Sequence, residues 1–510
     1  MTAGHIASIR DRFGLGQLAD KINASLEKHF WRWASLFTII FLACSIARDL
    51  RTKFWFDELF TLYIAKLPSP AEIITFNDLS PPLYLILAHW LLPIVGNDAL
   101  AIRLPATLGY CAMILCLMGF ARRRLPAAFA FAAALLAFEP TLYYATEGRA
   151  YGVVLGCAAG ALLCWQMAAE GRRKSLSIAL LALCLALMVA LHYYAIFFLV
   201  PLFLAELVRW RISGRIDLAM IAAMVPAPLV LGLHYGLLVS GQTYDTNFWA
   251  HASLGQIVPF YSRFLLPVLI MCGLAFCVVL VPGSSAQQHE RMQETTLPLH
   301  EWTAIAALVL MPPVVIVVSM YTTQAFIERY VLWAAIGFAL LGAACLSAAV
   351  RGRAAVGVAL IGITIVAIAR LEIGPLFETP ELRTAEAVRQ ELDEVARDGS
   401  EPIVVANAHM FLELSYYLNP LFRERLVFPL NRDLDLRYRG FDTDTLTLGP
   451  LGQRGLIPVK TYDEVLAENK RFLLAAGKYD YLPQHLTAAG YRVTPIREAT
   501  MLYQVQAPDE

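Results

Sequence analysis

A polytopic α-helical membrane protein, with a small α/β domain at its C-terminal end, is the fold class this sequence predicts. Two observations predict it. Hydrophobic residues make up 58% of the 510-residue chain and charged residues 16%, with a mean hydropathy of +0.57, against roughly 45–50% apolar and 25% charged in soluble domains. The polarity is also unevenly spread. A series of long apolar segments runs to about residue 370, and Glu372 to Glu510 then has the mixed composition of a soluble domain. The formal net charge is zero, and nothing in the sequence points to nucleic acid.

A crossing helix needs about 20 apolar residues. Eleven segments qualify approximately: Trp33 to Ala47, Leu100 to Ala121, Ala127 to Tyr144, Tyr151 to Ala169, Leu176 to Leu191, Ala195 to Val208, Leu218 to Ser240, Val258 to Val281, Trp302 to Tyr321, Tyr330 to Val350 and Ala354 to Leu371. Lysine and arginine set the orientation. Lys21, Lys28, Arg32, Arg122 to Arg124, "GRRK" at 171–174, "RWRISGR" at 209–215 and "RGR" at 351–353 all fall on one side if "PPLYLILAHWLLPIV" at 81–95 is a short juxtamembrane helix. That side is expected to be cytoplasmic. The domains are then residues 1–32, a cytoplasmic segment; 33–371, the transmembrane catalytic domain with outer juxtamembrane helices at about 57–95; and 372–510, a periplasmic α/β domain of a multi-pass bacterial inner-membrane protein.

The nine cysteines lie in apolar segments with no metal-binding spacing, as small core residues do. The loop 283–301 reads as a flexible cytoplasmic connection. In the C-terminal domain "AEAVRQELDEVARDG" and "YDEVLAENKRFLLAAG" read as helices, and "PIVVANA", "YRVTPI" and "MLYQVQ" as strands. No GxGxxG, Walker or nucleophile-elbow motif is present there.

The same placement puts a set of ionisable and aromatic residues at outer helix ends: Asp57, Glu58, Asp78, Arg103, Glu147, Arg149, Tyr151, His192, Tyr193, Arg263, Glu328 and Arg329. Ionisable groups close to hydrocarbon are costly and mark a pathway or a reaction site. In "FWFDELFTLY", repulsion between Asp57 and Glu58 plus partial desolvation should leave one acid able to accept a proton. The bland alternative is two acids capping a short helix. In "YYATEGRAYG", the Arg149 fork suits phosphate oxygens and Glu147 could hold it in place, although an ion pair in an aromatic belt has the same composition. "LHYYAIFF" offers His192 and Tyr193, and "FIERYVLW" offers Glu328, Arg329 and Tyr330, where a snorkelling arginine is the alternative. "NDLSPPLYLILAHW" places Asp78 and Tyr84 around a helix start, with Asp78 or Ser80 as its N-cap.

Taken in order, "FDE", "DLSPPLYLILAHW", "AIRLPATLGY", "YYATEGRAYG", "LHYYA" and "ERYVLW" make the chain resemble the glycosyltransferase C superfamily. It is similar to the branch of protein O-mannosyltransferases and lipid A aminoarabinose or galacturonosyl transferases. The resemblance covers nearly the whole chain, and the acidic pair, the Pro-Pro-Leu-Tyr run and the Glu-x-Arg-x-Tyr element are its most specific parts. It implies an enzyme that takes a sugar from a polyprenyl-phosphate donor and transfers it outside the membrane to an acceptor. Asp57 matches the catalytic base and Glu58 its partner. Arg149, Arg329 and Tyr330 match donor-phosphate positions, with Glu147, Tyr151, His192 and Tyr193 shaping that site, and Asp78, Tyr84 and Arg103 falling to substrate. The chain departs from the family in having Ser80 where a histidine often precedes the prolines, and in lacking a clear counterpart of the lysine that several relatives place near the phosphate.

The chemistry is consistent with the residues. Displacement at an anomeric carbon needs an activated oxygen and a stabilised leaving phosphate, so one carboxylate base and cationic groups suffice, with inversion. No cofactor is expected; the carboxylates could take a divalent metal, but no convincing His/Asp/Glu spacing is present. The bilayer itself and a glycolipid or polysaccharide acceptor, favoured over protein, complete the expected partners. A transporter or lipid flippase is the competing reading, since Pro201, Pro226, Pro228 and Pro312–Pro313 could break helices; an inactive scaffold for the outer domain would leave the acid and arginine motifs unexplained.

Overall fold

Each segment predicted to span is helical over most of its described residues in the computed structural model, which describes residues 15–76, 80–241, 247–277, 297–370, 384–395, 399–498 and 500–508. Among the described residues, six helices are long and apolar enough to cross a membrane: Gln17–Asp49, Asp98–Arg122, Tyr151–Ala169, Lys174–Leu191, Leu254–Phe276 and Leu299–Tyr321. The other predicted spans are shorter or interrupted. Ala127–Leu136 gives way to two short turns before Tyr144, and Leu218–Met224 ends where Pro226 begins the next helix. Pro312 and Pro313, by contrast, sit inside the unbroken Leu299–Tyr321 helix.

Two sequence expectations change at the N-terminal end and in the 283–301 loop. The first helix starts at Leu15, not near Trp33, and kinks at His29, because Leu26 and Phe30 are already buried against the bundle. Residues 283–296 lie outside the described residues, but Leu299 to Glu301 form the first turn of a helix, and Glu301 is fully buried.

The contact that frames the site is between Asp98–Arg122 and Tyr151–Ala169. Glycines at 109, 152 and 156 let the two backbones touch. A Cβ on Gly152 would stand 2.3 Å from the Ala106 carbonyl oxygen, and one on Gly156 2.2 Å from that of Gly109. Small residues replace hydrophobic drive where helices meet in lipid. The result fixes Arg103, near the start of one helix, against the loop 146–150 that leads into the other.

Between the first helix and Asp98 lie three short helices, Phe56–Ala65, Pro70–Thr75 and Leu83–Val95. They do not merely rest on the bundle. Leu59, Leu62, Ile64, Leu85 and Ala88 share one buried apolar cluster with Ile403, Val405, Phe411, Leu414, Phe428 and Leu473 of the C-terminal domain.

That domain is a six-stranded sheet in the order β3-β2-β1-β4-β6-β5, with β1 (Ile403–Val405), β2 (Leu426–Leu430), β3 (Val459–Thr461), β4 (Arg471–Ala475), β5 (Arg492–Pro495) and β6 (Leu502–Gln506). The first four are parallel, and β6 and β5 are antiparallel. "YDEVLAENKRFLLAAG", predicted as one helix, is a helix over Tyr462–Glu468 followed by strand β4. The stretch "RFLLA" is a continuous apolar run because its strand is central and covered on both faces: Leu473 packs with the cluster above, and Phe472 and Leu474 pack with Tyr462, Val465 and Leu482 on the other face.

Candidate functional site

Asp57 and Glu58 occupy the first turn of Phe56–Ala65, but they face different partners. Glu58 is buried at 2% exposure. Its carboxylate takes both arms of Arg103, Nε to Oε1 at 2.6 Å and Nη2 to Oε2 at 2.7 Å, and Oε1 also accepts from the Gly148 N–H at 2.8 Å. Arg103, itself 2% exposed, spends its remaining donors on the carbonyls of Asp49, Thr52 and Lys53 and on the Thr52 hydroxyl. It moulds the loop that leads to Asp57. The two adjacent acids thus face separate guanidinium groups, Glu58 that of Arg103 and Asp57 that of Arg329. Glu58 and Arg103, assigned from sequence to catalysis and to substrate, are saturated by each other, and breaking such a pair costs about 3–5 kcal/mol.

Asp57 pairs with Arg329, whose Nη2 stands 2.9 Å from Oδ2. Arg329 comes from the short helical turn Glu328–Val331, 272 positions along the chain from Asp57 by number (329 − 57). Its guanidinium also lies 4.0 Å from Glu147 Oε1, with Tyr151 at 5.6 Å and Trp55 at 5.9 Å from the guanidinium carbon to the ring centroid. Arg149 reaches the Thr61 hydroxyl at 3.5 Å, one turn along the helix from Asp57. Tyr151, His192 and Tyr330 line the next layer: His192 is 5.6 Å from the Tyr151 ring and 5.1 Å from that of Tyr330.

The electrostatics are graded. Glu147 is 2% exposed, and neither of its carboxylate oxygens has a hydrogen-bond partner. Burial pushes its pKa from the usual carboxylate value up to about 8; Arg329 and Arg149 pull it down, and Asp57 and Glu58 add to the rise. At neutral pH Glu147 is mostly a neutral acid. Burial, with Arg329 and Arg149 adding, lowers His192 to about 3, so that ring is neutral too. For Arg329, burial opposes the charge, but Tyr151, Asp57 and Glu147 outweigh it and its pKa rises above the ordinary arginine value. The cluster thus sets two arginines, Arg329 paired with Asp57 and Arg149 beside them, among a neutral acid and a neutral imidazole.

Two other expected site residues, Tyr84 and Tyr193, fall elsewhere. Asp78 lies outside the described residues. Tyr84 is buried and its hydroxyl donates to the Ile102 carbonyl at 2.6 Å, tying Leu83–Val95 to the helix of Arg103 rather than facing a cavity. Tyr193 sits edge-on to His234 at 5.8 Å. It is Tyr194 that joins the aromatic layer, 4.6 Å from Tyr330, with its hydroxyl on the Ala325 carbonyl and the Thr323 hydroxyl. Alternation in "HYYA" cannot show which tyrosine turns inward, because a 3-10 turn starts there.

Sequence reasoning also passed over Trp55 and His409. The indole Nε1 of Trp55 is shielded from solvent without an acceptor. His409, at the start of Ala408–Tyr417 in the C-terminal domain, stacks on Phe56 at 4.3 Å and 19°, and Tyr417 accepts the Phe54 N–H at 2.7 Å. A stretch some 350 residues away by number (409 − 56 = 353) thus shapes the backbone before Asp57. Among the described residues no group of three or more His, Cys, Asp or Glu is placed to hold a metal ion.

Fold and site together define a many-helix, membrane-type protein whose soluble domain abuts an acid–arginine cluster at one end of the helical bundle. No family model and no curated protein matches the chain. Among solved structures it is similar to ArnT from Cupriavidus metallidurans in the apo state, at 13% identity over 94% of this chain and 99% of that one with a TM-score of 0.43. It is similar in the same way to ArnT from that organism bound to undecaprenyl phosphate, at 13% identity, the same coverage and a TM-score of 0.42.

Proposed function

We propose that this chain is a membrane glycosyltransferase that moves a sugar from a polyprenyl-phosphate-linked donor to an extracytoplasmic acceptor, a glycolipid or polysaccharide in preference to a protein. The observation that carries the reading is the incomplete satisfaction of the Arg329 cluster. Among the described residues, the two buried Glu147 oxygens and Asp57 Oδ2 accept no hydrogen bond, while Arg329 Nε and Trp55 Nε1 are buried donors that no acceptor meets. A ligand that answers both needs has hydroxyl donors and anionic oxygens side by side. A sugar phosphate has both.

Phosphate arriving at Arg329 competes with Asp57 for the guanidinium, which frees the Asp57 carboxylate. Asp57 then accepts the proton of the acceptor hydroxyl as that oxygen attacks the anomeric carbon. The bond from that carbon to the phosphate oxygen breaks, its electron pair leaves with the phosphate, and the configuration inverts. Arg329 and Arg149 stabilise the leaving charge. Neutral Glu147 offers hydrogen bonds without adding a second negative charge against the phosphate. The motif resemblance and the arginine-rich opposite end support placing this chemistry outside the cytoplasm.

The test is transfer from a radiolabelled polyprenyl-phosphate sugar by the full chain in proteoliposomes. Asp57→Asn should reduce transfer by at least about a hundredfold, the lower range for a lost general base, while still binding polyprenyl phosphate. Full activity in that variant removes Asp57 from the mechanism. Lipid movement across the bilayer without any sugar transfer by the wild type replaces this reading with a flippase.

A further inference from the structure

The indole of Trp55 is at the mouth of the same cluster, and nothing in its surroundings explains its polar atom. Indole nitrogen can only donate, and so can guanidinium nitrogens. Trp55 Nε1 and Arg329 Nε are both shielded from solvent and both lack an acceptor, and the Arg329 guanidinium carbon is 5.9 Å from the Trp55 ring centroid. Leaving a buried donor unmet costs about 1–3 kcal/mol, and buried donors normally have a partner. The nearby carboxylates do not supply it. Glu58 is saturated by Arg103 and by the Gly148 N–H. Asp57 Oδ2 faces a different arginine nitrogen, Nη2, and among the described residues neither that oxygen nor either Glu147 oxygen accepts a hydrogen bond.

The backbone of this residue is also held in place. The Trp55 N–H reaches Glu58 Oε2 at 3.4 Å, and the Trp55 carbonyl accepts from the Glu58 and Leu59 N–H groups at 3.1 and 3.0 Å. The residue is therefore pinned at the start of the Asp57 helix by the Glu58–Arg103 pair beneath it.

We infer that Trp55 is a donor-binding residue: its indole N–H holds one oxygen of the lipid-linked phosphate while Arg329 holds the others. This rests on the glycosyltransferase reading and names a contact within it. That oxygen lies in the plane of the indole beyond Nε1, and the Arg329 guanidinium, over the ring, faces the other phosphate oxygens. An N–H bond to a charged oxygen is among the stronger hydrogen bonds, so removing it should weaken lipid-phosphate binding about tenfold.

The experiment uses the full chain in lipid nanodiscs with ¹⁵N-labelled indole, titrated with a polyprenyl phosphate and, separately, with inorganic phosphate. The resonance that disappears in Trp55→Phe identifies Trp55. It should shift with the lipid and stay in place with inorganic phosphate at the same concentrations, and Trp55→Phe should raise the Kd for the lipid about tenfold. If wild type binds the lipid while the Trp55 resonance stays fixed and Trp55→Phe binds as well as wild type, the inference is overturned and the enzyme reading stands. A shift with inorganic phosphate and none with the lipid overturns the assignment to the donor. If the wild type fails to bind polyprenyl phosphate, both fall together.

Discussion

Buried carboxylates beside arginines occur at both ends of the helical bundle, and they are treated differently. At the basic end, Glu301 is fully buried, and Arg124 Nε lies 2.9 and 2.8 Å from its two oxygens while Gln166 donates at 3.2 Å. Glu206 there takes Arg209 Nη2 at 2.7 Å and the Trp165 indole at 2.6 Å. At the other end, Glu58 is met as fully, yet Glu147 has no hydrogen-bond donor at all. A desolvated acid is normally paired. The Arg329 cluster leaves acid oxygens unmet, whereas the carboxylates of Glu301, Glu206 and Glu58 are each met and fasten helices and loops together.

The largest effect that would sharpen this contrast is expected at Arg329. Arg329→Lys keeps a charge but loses the planar fork, and transfer should fall by about a hundredfold to a thousandfold, as when one transition-state donor is removed. Thermal melting of the purified protein should barely move. A large loss of melting temperature with activity per folded molecule intact would make Arg329 a fastener like Arg124.

The paired clusters predict the reverse behaviour. Arg124→Gln strands Glu301 without its cation, so stability should fall by about 3–5 kcal/mol, read as reduced folded yield and a lower melting temperature, while transfer per folded molecule is unchanged. Glu58→Gln should show a comparable stability loss. It should also lower activity, because the Arg103 network holds the loop ahead of Asp57. Equal activity in Glu58→Gln and wild type would separate that scaffold from the reacting groups.

How much of this was legible in the sequence depends on the range of the cause. Asp57, Glu147, Arg149, Tyr151 and Arg329 could be picked out because an ionisable group at the end of an apolar helix is locally conspicuous. That they converge was an expectation drawn from motif order, and the geometry brings Asp57, Glu147, Tyr151 and Arg329 around one guanidinium. The Glu58–Arg103 pair spans 45 positions and draws on a glycine in another loop, so the local pattern made Glu58 look like half of a catalytic dyad. The apolar cluster shared by the Asp57 helix and the C-terminal sheet was equally hidden. Its two halves lie more than 300 positions apart, as Leu59 and Ile403 do, and no local pattern links them. Strand β4 was misread because a buried central strand has no alternation to reveal it.

The smallest effect at neutral pH, and the most specific to the comparison, belongs to Glu147. Its folded pKa, raised by burial to about 8, lies above the ordinary carboxylate value of the unfolded chain. The stability it contributes as a neutral buried acid is therefore complete below that ordinary value and is lost as pH rises through 8. Activity that needs the neutral form follows the same upper limb. Glu147→Gln keeps the shape and removes the titration, so at pH 7 transfer should change by only about twofold to threefold, as expected for exchanging one hydrogen bond for another. Between pH 7 and 9, however, the variant should lose the fall in activity and melting temperature that wild type shows. Glu301, held by Arg124, gives the control: Glu301→Gln should leave the shape of that pH profile unaltered. If Glu147→Gln and wild type decline together above pH 8, the unfinished acid is not the group that senses the proton, and the contrast between the two ends of the bundle loses its chemical meaning.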